Sequence, residues 1–177
     1  MNIIFFGAPG SGKSTQAQKL AEKLNLPHLA TGDLFRNLED DNSELGQRIG
    51  NVFRKGLLVA DDDVVAVVGR KIVDSKYSRG VVLDGFQRTL PQVENSPIKF
   101  DKAIYLNISD ETAVKRLASR GRVDETPEVI RERLKVYHLQ TEPVLNYYRQ
   151  RGNLVEINGE PTEPEIFNEI IQKLGII

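Results

Sequence analysis

Lys13 lies in a glycine-rich run, Gly7-Ala8-Pro9-Gly10-Ser11-Gly12-Lys13-Ser14, that fits the spacing G-x-x-x-x-G-K-[ST]. Each residue type in that spacing has a chemical reason. The glycines let the chain turn through conformations closed to residues with a Cβ, so successive N–H groups point into one concavity and take anionic oxygens. Lys13 is a point charge on a long stem, able to reach the outer phosphates of a nucleoside triphosphate. A second run, Val81-Val82-Leu83-Asp84, puts a carboxylate at the end of an aliphatic strand. Many such strands end in Asp merely as a turn cap; beside a phosphate loop, the same carboxylate suits Mg²⁺ or its waters. The third signal is arginine, whose planar fork matches phosphate. Arg36, Arg88, Arg116, Arg120, Arg122 and Arg133 fall near expected loops or strand ends. Arg48, Arg54, Arg70, Arg79, Arg149 and Arg151 are assigned to solvated helix faces. His28 and His138 read as isolated, Asp61-Asp62-Asp63 as the acidic start of a helix, and Tyr147-Tyr148 as packing.

These groups need elements to hold them. Asn2 to Phe6 is an apolar strand before the loop, and Lys13 to Leu24 a helix after it, with Ala17, Leu20, Ala21 and Leu24 at helical period. Pro27–Ala30, Val81–Asp84, Ala103–Ile108 and Leu154–Ile157 are expected as further strands. Helices are expected with Asp33 as a cap running through Arg36, at Glu44–Lys55 ended by Gly56, at Asp61–Ser75, at Asp110–Ser119 and at Glu163–Leu174. Thr126–Arg151 is expected as one long helix bent or broken near Pro143. Strands alternating with helices predict an α/β domain with a parallel sheet, and ligands on such sheets sit beyond the carboxyl ends of the strands. The phosphate loop and Asp84 both lie there.

Composition narrows the setting. The 177 residues suffice for one core, and 40% hydrophobic with 28% charged is ordinary for a globular chain. A formal net charge of −1 argues against nucleic acid or a membrane surface as a main partner. With no cysteine, disulfides, zinc–thiolate sites and cysteine nucleophiles are excluded. Apolar runs such as Val64–Val68 are too short to span a bilayer, and the first strand begins almost at once, leaving no room for a signal peptide. A cytoplasmic protein is expected.

Taken together, the chain resembles the adenylate kinase family of nucleoside monophosphate kinases, in its short-lid form. Gly7 to Gln16 resembles the family's phosphate loop, Ala30-Thr31-Gly32-Asp33-Leu34-Phe35-Arg36 the start of its monophosphate-binding insertion, and Leu83-Asp84-Gly85-Phe86-Gln87-Arg88-Thr89 its strand-end motif. Arg116, Arg120, Arg122, Asp124 and Arg133 match lid and hinge positions. The resemblance implies a five-stranded parallel sheet flanked by helices, the P-loop NTPase fold, as a single domain over 1–177. A monophosphate-binding subdomain at 30–59 and a short lid at 121–132 would be set into it. It implies transfer of a phosphoryl group from MgATP to AMP. Gly10, Ser11, Gly12, Lys13, Ser14 and Thr15 would wrap the ATP phosphates, with Arg120 and the Pro161 backbone nearby. Thr31, Arg36, Leu57, Leu58, Val59, Gly85, Phe86, Gln87, Arg88 and Gln92 would surround AMP. Arg122 and Arg133 would close over it, and Asp84 would hold waters of the substrate-borne Mg²⁺, with no zinc. Lys13, Arg88, Arg120, Arg122 and Arg133 would carry the catalysis. A monomer is expected, flexing at Gly32, Gly56 and Gly121. Ser14 stands where the family usually has Gly, and Gln87 where it usually has Pro, which would loosen the aim of Arg88. A UMP or CMP kinase, a nucleotide-hydrolysing switch and a degenerate nucleotide sensor are the rival readings.

Overall fold

The computed structural model describes residues 1–38, 43–54, 59–119 and 126–176. Five strands, β1 (Asn2–Gly7), β2 (His28–Ala30), β3 (Val81–Asp84), β4 (Lys102–Asn107) and β5 (Leu154–Asn158), form one parallel sheet in the order β2-β3-β1-β4-β5. The strand order reverses at β1, with β3 and β2 laid to one side and β4 and β5 to the other, and such a switch point leaves a crevice past the carboxyl end of β1.

Alternation along β1 feeds two layers. Ile4 and Phe6 join Leu83 under helices α4 (Asp61–Ile72) and α8 (Glu142–Gln150). Ile3 and Phe5 join Val82, Ile104 and Leu106 under α1 (Lys13–Leu24) and α9 (Glu163–Leu174). Both faces of the sheet are therefore covered, as a parallel sheet requires. A third, smaller cluster sits beneath the phosphate loop. There Ala8 meets Ala113 and Leu117 of α6 (Asp110–Ala118) and Ile130 and Leu134 of α7 (Pro127–Val136).

Several boundaries differ from expectation for local reasons. Between β2 and α4 the chain makes α2 (Thr31–Leu38) and α3 (Glu44–Arg54). The first of these starts at Thr31, so Asp33 lies inside its first turn instead of capping it, and Gly32 is its second residue. Gly56 and Gly121 lie outside the described residues. Helix α4 stops at Ile72, and a separate 3₁₀ turn, Ser75–Tyr77, is capped by the Asp74 carboxylate accepting from the Lys76 N–H. A short helix, α5 (Leu90–Glu94), had no counterpart in the sequence reading; Thr89 caps it, with Pro91 in its first turn. The 126–151 helix is broken near Pro143, as expected, and the break takes the form of a π-helical turn, Tyr137–Thr141, between α7 and α8; Pro143 follows two residues later and has no N–H to give to the carbonyl four residues back, which lies inside that turn. Among the described residues no helix is long and apolar enough to cross a membrane.

Candidate functional site

The site is built on one edge of the sheet. Phe5 of β1 is level with Asp84 of β3, and Ala30 of β2 is level with the same residue, so the phosphate loop, Asp84 and the start of α2 emerge together. Gly10 sits at φ 85, and a Cβ there would stand 3.0 Å from the Ala113 carbonyl, so the loop needs glycine on both counts. Helix α1 follows with Gly12 as its N-cap, no capping side chain and no acidic residue in its first turn. By contrast α4, α6 and α9 all begin with acidic residues. The dipole of α1 thus meets no acidic side chain of its own first turn, an arrangement that suits an anion. Lys13 Nζ donates to the Ala8 carbonyl at 3.3 Å, folded over the loop. The Ser11 hydroxyl is buried with no protein partner, while Ser14 and Thr15 are exposed.

Asp84 is 4% exposed and surrounded by donors. His28 Nε2 donates to its Oδ2 at 3.0 Å. Burial works to raise the carboxyl, but the His28 hydrogen bond, the charge of Lys13 and the Ser14 hydroxyl outweigh it and hold Asp84 below the ordinary carboxylate range. Asp84 is therefore an anion, and with the Ser14 hydroxyl it offers the oxygen donors that suit Mg²⁺. The reading of His28 as isolated is corrected. It lies level with Val82, so Asp84 is its diagonal neighbour two residues along the next strand. Strand order is what brings them together, and strand order is not visible in local pattern.

Beyond Asp84 the chain turns sharply. Gly85 adopts φ 78 close to Thr31, whose hydroxyl donates to the Asp84 carbonyl at 3.4 Å. Thr31 and Val59 are buried, and Phe86 is packed in the core with its ring 6.4 Å from that of Phe100. Arg88 follows; its side chain reaches solvent and its Nε donates to the Gly85 carbonyl at 2.9 Å, while crowding by the atoms around it, aided by the charge of Arg133 and opposed by that of Asp84, lowers its pKa from the ordinary arginine value. Lys13, Asp84, Arg88 and Arg133 thus share one electrostatic neighbourhood. Arg36 pairs with Asp33 on its own helix.

Gln92 is deployed inward. Its Nε2 donates to Asp61 Oδ1 at 2.7 Å and its Oε1 accepts the Arg88 N–H at 2.9 Å. Asp61 accepts from Thr89 Oγ1 as well, so the first aspartate of the acidic triplet is a junction between α4 and α5 besides a helix start. Gln87 is 2% exposed and turned toward Tyr148. On the far side of the loop Arg116 Nη2 donates to the Glu160 carbonyl at 3.1 Å, beside Pro161. Leu57, Leu58, Arg120, Arg122 and Asp124 lie outside the described residues. His138, the other histidine read as isolated, is held between Asp110 and Glu142.

Comparison with known proteins gives a consistent result. A family model described as adenylate kinase matches residues 5–153. The chain is 40% identical to an adenylate kinase of Prochlorococcus marinus, covering 99% of this chain and 97% of that protein. It is 37% identical to an adenylate kinase of Lachnoclostridium phytofermentans, covering 99% and 98%. A third, from a Caulobacter species, is 35% identical with both chains covered in full.

Proposed function

The chain belongs to the adenylate kinase family, and on that premise we propose how its site performs the reaction. The reaction is reversible transfer of the γ-phosphoryl of ATP to AMP, giving two ADP. The feature that supports this assignment of roles is the shared neighbourhood of Lys13, Asp84, Arg88 and Arg133 around an α1 N-terminus with no capping side chain.

ATP lies with its phosphates in the loop from Gly10 to Thr15, at the N-terminus of α1, and Lys13 swings from the Ala8 carbonyl to the transferring group. Mg²⁺ enters with ATP as part of the substrate and neutralises phosphate charge. Asp84 and Ser14 hold its waters. AMP lies on the other side, its phosphate between Arg36 and Arg88 and its base beside Thr31, Val59 and Gly85. For Arg36 this requires exchanging Asp33 for phosphate. Arg120, Arg122 and Arg133 close from the lid, with Arg120 and Pro161 on the ATP side. The attacking oxygen of AMP is already anionic, so no strong base is needed. The barrier falls through alignment and through cations meeting charge on the phosphoryl oxygens. Water has to be kept out, or ATP would be hydrolysed. The protein works as a cytoplasmic monomer. Its net charge of −1 creates no field for nucleic acid or anionic membrane.

The test is an acceptor panel with ATP and Mg²⁺. AMP should show the highest kcat/KM among AMP, GMP, UMP and CMP, and equal rates would overturn the choice of acceptor. ATP consumption at full rate without any monophosphate would instead reveal a hydrolase. Lys13→Ala should lower kcat by about three powers of ten, the scale of removing charge stabilisation from a phosphoryl transition state.

A further inference from the structure

We propose that Gln87 and Tyr148 form a positioning pair that sets the aim of Arg88 without touching a nucleotide. Gln87 adopts φ 54, a left-handed conformation uncommon for a residue with a Cβ and closed to proline. Something must hold it there. Its side chain is 2% exposed, and its Oε1 accepts the Tyr148 hydroxyl. Tyr148 is itself 3% exposed on α8, its ring 5.4 Å from Phe6 of the central strand and 5.2 Å from Tyr147. The anchor therefore runs from the sheet core to the residue immediately before Arg88. Burial pushes the Tyr148 phenol well above its ordinary value, so it stays a donor throughout the working pH range.

The backbone of Arg88 is tied on both sides of its Cα. Its N–H donates to Gln92 Oε1 at 2.9 Å, and its carbonyl accepts Thr141 Oγ1 at 3.1 Å. Thr141 closes the π-helical turn and Gln92 is backed by Asp61. With Gln87 fixed as well, only the side-chain torsions of Arg88 remain to be set, and Nε on the Gly85 carbonyl restrains those. The missing proline therefore does not leave the arginine loosely aimed. A side chain tied into the core replaces ring closure as the restraint. Gln87, expected to face AMP, acts from behind the site.

This inference rests on the reading that Arg88 holds the AMP phosphate, and the variants are chosen to separate the two. Tyr148→Phe keeps the ring and removes the hydroxyl. Gln87→Gly accepts the positive φ and removes the amide. Each should raise KM for AMP about tenfold, as expected when one partner of a buried hydrogen bond is removed, with KM for ATP unchanged. The double variant should be no worse than the more affected single, because both break one bond. Arg88→Ala is run beside them. If it raises KM for AMP while both singles leave that constant unchanged, the pair is refuted and the role of Arg88 stands. If Arg88→Ala leaves it unchanged, the reading of Arg88 falls and the pair with it. Equal rises in both KM values with a lowered Tm would mean general loosening and would also overturn the proposal.

Discussion

Gly85 sits where a side chain has nowhere to go. At φ 78 a residue with a Cβ is strained, and the added atom would stand 2.5 Å from Thr31 Oγ1 and 3.2 Å from Arg88 Nη2. Gly85→Ala should therefore cost at least about 1–2 kcal/mol in a urea titration. It should also raise KM for AMP with KM for ATP preserved, because both displaced groups belong to the proposed acceptor side. Unchanged affinity for AMP would remove Thr31 and Arg88 from that side. At this scale the sequence was legible where the candidate site is built from contiguous residues. The phosphate loop and the run from Asp84 to Arg88 could be read directly. His28, Thr141 and Tyr148 could not, since each acts on a residue more than fifty positions away. Gln92 is expected around AMP, but its partners Asp61 and the Arg88 N–H depend on how α4 meets α5.

Among the elements, the π-helical turn is the least expected and the most connected. An extra residue in a helical turn has no composition signature, so the sequence marks the place of the break, near Pro143, but not its form. The strands were nearly all legible, because buried parallel strands are continuous aliphatic runs bounded by turns. At the turn, His138 donates to Asp110 of α6 and meets Glu142 of α8 at 2.7 Å. Burial lowers its pKa, but the two carboxylates outweigh it, and the net shift is upward. Its protonated form therefore favours the folded state. That contribution is complete below the unfolded histidine value of about 6.5 and disappears as pH rises through the elevated folded value. The Tm difference between the protein and His138→Gln should accordingly shrink as pH is raised from about 6 toward 9. A difference that is flat or grows with pH would rule out this linkage. The pair groups are exposed, so the effect should be small and weaken with salt.

For the molecule as a whole, the proposed chemistry requires the α2–α3 segment and the lid to close over bound substrates. The chain contains no cysteine, so labels at Glu44→Cys on α3 and Gln172→Cys on α9 are unambiguous. Energy transfer between them should change on adding an inhibitor that bridges both nucleotide sites; a constant distance would end the closure idea. The α/β class was legible from alternation, whereas strand order was not, because it depends on which aliphatic runs meet across long crossovers. That order also governs how the chain is born. The strand at the centre of the sheet is made first, yet its partners begin at Val81 and Lys102, and β2 pairs only with β3. No two strands can pair until about half the chain has been synthesised, several seconds at about 5–20 residues per second. Throughout that interval Ile3 to Phe6 is an aliphatic and aromatic edge with no mate, so a nascent fragment ending before Val81 should be the form of this protein most dependent on chaperones.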